Sequence, residues 1–438
     1  MDDRLRQLLA AIFSRAVAAV NPVELVKKQL PAIALDSRPV HIVALGKAAN
    51  GMALGAIDAL TSAGREPRSG AVVSSIPWPG SLPPRFLHQV GDHPIPGAGS
   101  LQAAKMLGEW AASITSGDQV IALLSGGTSS LIGAPREGLS QLGYQATMAR
   151  LLHAGLPIGK LNSLRRKISR WADGRLGAAL QDARITLLAI SDVPGDRLDD
   201  IGSSPFSQPT DSGDRAELKL LGIPSLNELP DQVRKVLAKF ECQPLVSHKG
   251  PVTAVVIGSN TVAARAAVQE AHSLGLSPDP VVGNLTGPAD LMGRDIADWI
   301  RNPRSDAGYN CRIYGGETTV KVSDGAPGIG GRCQELALAA GEILAECSPG
   351  CGLLAAGTDG RDGATPAAGG FADPSLWPRL REAGRDPSCD LACHDSYSAL
   401  KASGDLYFSG STGTNAMDLV IAVTATETIP PAVSNPGR

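Results

Sequence analysis

The chain has 438 residues, 43% of them hydrophobic and 19% charged, with a formal net charge of −3 at pH 7. This composition excludes wholesale disorder, and the near-neutral balance gives no electrostatic basis for nucleic acid or an anionic membrane as the main partner. Aromatic residues, at 4%, are too few for single-strand binding by base stacking, whereas 50 glycines point to many loops where backbone approaches a ligand closely. At roughly 150 residues per domain, the length predicts two domains. The first predicted element is a helix. Leu5, Leu8, Leu9, Ile12 and Ala16 recur at helical spacing, acids stand ahead of them, and Arg15 interrupts the apolar run, which favours an amphipathic helix over a signal peptide. No apolar stretch approaches the roughly 20 residues needed to span a bilayer. With no export signal read, the cytoplasm is the expected compartment.

Strand-like runs then recur, each followed by glycine and a helical pattern. They are VHIVAL at 40–45, GAVVSS at 70–75, QVIALL at 119–124, ITLLAI at 185–190, TAVVIG at 253–258, CGLLAAG at 351–357 and MDLVIAV at 417–423. Near-continuous apolar runs read as strands buried on both faces, and their alternation with Ala/Leu-rich helices predicts an α/β chain with largely parallel sheets. In such sheets, ligands bind beyond the carboxyl ends of the strands, where this chain carries its polar, glycine-rich loops. The stretch from 202 to 250 is the least regular, which puts a domain boundary near 240: domains 1–240 and 241–438, with the side taken by residues 1–40 left open.

Lys47 follows the first strand and opens a helix. It is either a point charge for a transferring phosphate or a surface lysine with its head in water. No G-x-G-x-x-G follows that strand, which counts against a nicotinamide oxidoreductase. In LLSGGTSSL, Gly126 and Gly127 let the backbone turn its amides inward, while Ser125, Thr128 and Ser129 add hydroxyls. Such a loop before a helix is an anion cradle or simply a serine-capped turn, and no Gly-Lys-Ser/Thr completes a Walker A motif. LNSLRRKISRWADGRL places Asn162, Arg165, Arg166 and Arg170 on one helical face, as a solvated basic helix or a wall for an anionic substrate. SDVPGDRLDD places Asp192, Asp196, Asp199 and Asp200 after a strand, suited to Mg²⁺, a general base, or Asx turns and caps.

The second half carries Glu317 in a glycine-flanked, hairpin-like strand, then Gly328, Gly330 and Gly331 leading to Arg332 at a helix start. An arginine placed there can clamp a carboxylate or phosphate with two parallel bonds. Asp359 and Asp362 follow the LLAAG strand, and Thr412, Gly413, Thr414 and Asn415 form a last hydroxyl-rich loop. HDSYS at 394–398 has Ser, His and Asp adjacent in sequence, without a G-x-S-x-G elbow, so a hydrolase is not expected. Cys347/Cys351 and Cys389/Cys393 are C-x3-C pairs, not the usual zinc spacing. Free thiols are expected, with a four-cysteine site left open.

Taken together, LGKAA, GDHPIP, LSGGTSSL, NSLRRK, SDVPGD, GGETTV, GGRCQELAL, AGTDGRDG, HDSY and STGTN, in this order over residues 5–425, resemble the class II glycerate 2-kinase family, whose C-terminal part is the MOFRL domain. The resemblance implies two α/β domains, the N-terminal one Rossmann-like with a largely parallel sheet, and an active site in the interdomain cleft. It implies transfer of the γ-phosphoryl of ATP to the 2-hydroxyl of D-glycerate with Mg²⁺, by a monomer or homodimer that binds no nucleic acid or membrane. On the matching motifs, Lys47, Arg332 and Asp192 become the expected catalytic residues. Ser125, Gly126, Gly127, Thr128, Ser129, Asn162, Arg165, Glu317, Asp359, Thr414 and Asn415 become the expected substrate- and nucleotide-binding residues, and Asp192 and Asp359 the expected Mg²⁺ ligands. The chain departs from the family pattern at Cys333, at 204–206, at Ser411 and at His394. Alternatives are a hydroxypyruvate reductase, a sensor on the same fold, and a kinase for a related hydroxy acid.

Overall fold

The computed structural model describes residues 1–153, 165–206, 248–303, 308–322 and 328–425, with positions 231 and 235. The chain divides into two compact units, residues 22–258, and residues 1–21 together with 259–438.

The first unit is built on the apolar runs. Strands β1 (Val40–Leu45), β2 (Ser69–Ser74), β3 (Phe86–Val90), β4 (Gln119–Leu124), β5 (Arg184–Ile190) and β6 (Val252–Gly258) form one sheet in the order β3-β2-β1-β4-β5-β6, with every pair parallel. Alternate residues explain why the runs are continuously apolar. Ile42 and Ala44 pack in one core with Met52 and Ala56 of the helix Ala49–Ser62, whereas Val43 and Leu45 pack in another with Leu107 and Trp110 of the helix Ala98–Ala112. Helices cover both faces, so no position on β1 can be polar without a partner. His41, the polar exception, bonds Ser69 through Nδ1 and Asp118 through Nε2. The strand order is Rossmann-like, and it reverses direction between β1 and β4, the switch point at which such sheets bind ligands.

The second unit is also α/β, but its sheet is mostly antiparallel. Strands β7 (Gly283–Leu285), β8 (Cys311–Gly316), β9 (Gly352–Gly357), β10 (Gly369–Ala372), β11 (Leu406–Tyr407) and β12 (Asp418–Val423) run in the order β11-β10-β9-β12-β8-β7. Only β7 and β8 are parallel. The expectation of largely parallel sheets therefore holds for the first unit and is corrected for the second. β9 and β12 are buried along their whole length because the helix Arg332–Leu344 packs in the core on one face and the helix Asp3–Ala19 approaches the other. Two-sided burial requires cover on both faces, not parallel pairing.

The helix Asp3–Ala19 buries Leu5, Leu8, Leu9, Ile12 and Ala16, the stripe legible in the sequence. Arg6 holds it to the second unit by bonding Asp405 Oδ1 at 2.7 Å and stacking 4.7 Å from the Phe371 ring centroid. The Met1 amine lies 3.1 Å from Asp373 Oδ2. The boundary expected near 240 lies outside the described residues. The division falls after Gly258, because β6 pairs with β5 and continues the first sheet. Among the described residues, no single helix is long and apolar enough to cross a membrane.

Candidate active site

In the first unit, the carboxyl ends of β1, β3, β4 and β5 bring four sequence blocks together. Gly46 takes φ +118°, and a Cβ there would lie 2.2 Å from Ser125 Oγ, so only glycine allows the β1 and β4 loops to meet. The Lys47 amide donates to Gly126 O at 2.9 Å, and the half-buried Lys47 side chain runs past Gly127. A Cβ on Gly127, which has φ +81°, would sit 3.2 Å from Lys47 Cγ and 3.3 Å from His93 Cδ2. A Cβ on Gly126 would sit 1.8 Å from Asp192 Oδ2. Lys47, His93 and Asp192 therefore surround one glycine pair.

The hydroxyls of this loop serve the loop itself. Ser125 Oγ is buried, donating to Leu45 O and accepting from the Ala48 amide, and Thr128 Oγ1 donates to Ser125 O at 2.8 Å. Ser129 Oγ and Ser203 Oγ are 2.6 Å apart. What remains for an anion is backbone. Among the described residues, the amides of Gly126, Gly127, Thr128 and Ser129 donate to no carbonyl outside their own helix. Oriented amides beside a lysine make an anion-binding concavity.

Arg165 is 9% exposed, its Nε has no hydrogen-bond partner among the described residues, and burial lowers its pKa against the neighbouring Tyr144. Arg166 is tied instead to Asp199 O and Asp200 Oδ1, each at 2.7 Å. Asn162 lies outside the described residues. Gly126→Ala should displace Asp192 or the loop. The expected loss in kcat/KM is about 100-fold, the cost of misplacing reacting groups by about an ångström, with the far-UV spectrum unchanged.

In the second unit, Arg332 opens the helix Arg332–Leu344 and is already committed. Its Nε and Nη2 grip the Asp418 carboxylate, and Nη1 lies 2.6 Å from Glu317 Oε1. Burial works against the guanidinium charge, but Asp418 and then Glu317 outweigh it and raise its pKa. Glu317 follows β8 directly in a loop, not in a hairpin strand. Asp362 lies beneath the helix start, accepting from the Cys333 amide at 3.2 Å and the Gln334 amide at 2.8 Å. A Cβ on Gly331 would lie 2.3 Å from its carboxyl group, and one on Gly357 would lie 3.3 Å from Asp359 Oδ1 and 3.4 Å from Asp418 Oδ1. The last loop is stitched to the residue after β9: Thr412 and Thr358 hydroxyls donate to Thr358 O and Met417 O, Thr414 is buried with Oγ1 unbonded among the described residues, and Asn415 Oδ1 accepts from the Met417 amide.

Burial, with the Asp418 charge second, pushes Asp362 up to about 7 from its ordinary 3.8, against the two amide donors. The folded protein thus holds this proton more tightly than the unfolded chain. The stability it contributes is fully present below about pH 4 and is lost as pH rises towards 7. Asp362→Asn should remove that loss. Urea unfolding between pH 5 and 7 should then fall less with pH in the variant than in the wild type, whatever offset the lost hydrogen bond adds.

Sequence reasoning missed His93, Asp418 and Ser203. Asp418 did carry a signal, as an acid heading an otherwise apolar buried strand. His93 sat in the GDHPIP block without a partner visible in sequence. Among the described residues, no group of three or more His, Cys, Asp or Glu side chains is arranged to hold a metal. The cysteines of the two C-x3-C pairs form no such group. Cys347 and Cys351 are free, as are Cys389 and Cys393. Mg²⁺ is ordinarily held by one or two carboxylates plus substrate phosphates, and Asp192 beside the amide loop fits that donor set.

Residues 8–238 match a family described as a domain of unknown function (DUF4147), and residues 310–418 match the MOFRL family. The chain is 35% identical to the D-glycerate 2-kinase of Thermotoga maritima, over 96% of this chain and 99% of that one. It is 34% identical to the glycerate 2-kinase of Pyrococcus horikoshii, over 88% and 87%. The crystal structure of glycerate kinase from Thermotoga maritima superposes with a TM-score of 0.83 at 34% identity, covering 97% of this chain and 100% of that one. With ten motif blocks in family order and both halves matched, the chain belongs to the MOFRL-domain glycerate 2-kinase family.

Proposed function

We propose that this protein transfers the γ-phosphoryl group of ATP to the 2-hydroxyl of D-glycerate, giving 2-phosphoglycerate and ADP. The observation that carries this reading is the convergence of Lys47, Asp192 and the Gly126–Ser129 amides at the switch point of a Rossmann-like sheet, in a chain of this family. Phosphoryl transfer depends mainly on positioning and charge neutralisation, and these groups supply both. The amides receive nucleotide phosphate oxygens. The Lys47 ammonium lies against the transferring phosphoryl group and offsets the charge on its equatorial oxygens. The glycerate 2-hydroxyl oxygen forms the new P–O bond as the bond to ADP breaks, and its proton is released. Bound Mg²⁺ would neutralise charge on the nucleotide phosphates, with Asp192 as its protein ligand. Arg332 acts with Glu317 and Asp418 as a unit, holding the loops after β8 and before β12 in place around a charged centre.

Purified protein with ATP, Mg²⁺ and D-glycerate should form 2-phosphoglycerate, read directly by an enolase-coupled assay. Formation of 3-phosphoglycerate instead would overturn the regiochemistry, and no turnover would overturn the substrate. Hydroxypyruvate with NADH should give no loss of absorbance at the nicotinamide band, since the turn after β1 carries a lysine where a dinucleotide site needs closely spaced glycines.

A further inference from the structure

The amino ends of β1, β2 and β3 form the edge of the first sheet opposite the amide loop. The segments entering these strands line an open surface depression of about 790 Å³. Arg38, Arg65, Arg68 and Arg85 line it, against two carboxylates, Asp36 and Glu66. Asp36 is already used. Arg38 Nε bonds its two oxygens at 2.9 and 3.0 Å, and Arg184 Nη1 lies 3.6 Å away. Arg65 donates to the Asp36 carbonyl, a neutral acceptor. Arg68 and Arg85 make no hydrogen bond or ion pair with a carboxylate among the described residues, and both are exposed. Arg85 also holds φ +63°, a left-handed conformation unusual for arginine, directly before β3.

We infer that this depression is a second anion site, which takes a small molecule bearing phosphate and is separate from the catalytic loops. Three loops bring guanidinium groups to one concavity with too few carboxylates to neutralise them. Planar guanidinium forks match phosphate oxygens in pairs. Guanidinium groups entering from three separate segments can meet more than one phosphoryl group, so the ligand carries a second phosphoryl or an organic part.

Inorganic pyrophosphate is the probe, added to the full chain and followed by hydrogen–deuterium exchange. Protection is expected at 35–40, 64–68 and 83–86 in the wild type. The apparent affinity at these peptides should fall at least tenfold in R68A/R85A, and R68K/R85K, which keeps the charge but not the paired donors, should recover only part of it. Glycerate phosphorylation by R68A/R85A should change less than twofold, because neither residue belongs to the amide loop. Protection confined to 125–130, or equal protection in the wild type and R68A/R85A, would overturn the site. Either result is read from binding and is independent of which reaction the enzyme catalyses.

Discussion

Lys47→Ala is expected to lower kcat by about 10³-fold while leaving the thermal midpoint nearly unchanged. The rate effect follows from position. Lys47 is the first side chain after β1, its amide is fixed to Gly126 O, and its stem runs past Gly127, so the ammonium has a short reach to whatever the amides hold. Removing one preorganised charge from a transferring phosphoryl group costs on the order of 10²–10³-fold or more. The stability effect is small beside the rate effect because alanine keeps the backbone bond from position 47 to Gly126 O that ties the two loops. Lys47→Arg retains charge but brings a wider fork into the space bounded by His93, and should recover only part of the rate. Steady-state kinetics with a thermal melt on the same samples distinguishes these outcomes. Wild-type turnover in Lys47→Ala would remove the residue from the mechanism.

Arg332→Ala is expected to behave differently, losing activity and stability together. Family resemblance alone marks Arg332 as a catalytic cation whose removal leaves the fold intact. The structure shows a guanidinium gripped by Asp418, which is 2% exposed, and paired with Glu317. Truncation leaves the Asp418 carboxylate buried without its partner, next to Asp362. Breaking such a pair costs about 3–5 kcal/mol when fully buried, and the low end applies because the arginine side chain is 33% exposed. Urea unfolding should show that loss. The double variant R332M/D418L, which removes both charges, should regain most of the stability and none of the activity. If Arg332→Ala unfolded like the wild type, the pair would carry no structural weight.

The architecture was legible where burial was two-sided. VHIVAL, QVIALL and ITLLAI became β1, β4 and β5 within a residue, because a strand covered by helices on both faces admits few polar side chains, and His41 there is hydrogen-bonded. FLHQV, which became β3, was not legible: it lies at the sheet edge, where half of its residues are free to be polar. CGLLAAG and MDLVIAV were identified as strands, but their direction was not, since apolar burial carries no information about the polarity of a neighbour.

The same division runs through the site. Sequence by itself determined the family and the strands and glycine-rich loops of the Rossmann-like first half, because apolar runs, and glycines and charged residues after them, are local patterns. Tertiary structure alone decided what each side chain does there. It turned Ser125 and Thr128 inward to bind their own loop, set Asp192 against Gly126 and His93 beside Lys47, and joined Arg332 to Asp418, 86 residues away. It also sent residues 1–21 to the second unit. Periodicity states that a helix has an apolar face and that an arginine is charged. Which surface covers that face, and which carboxylate meets that charge, is a contact between residues distant in sequence, fixed only when the strands between them have paired.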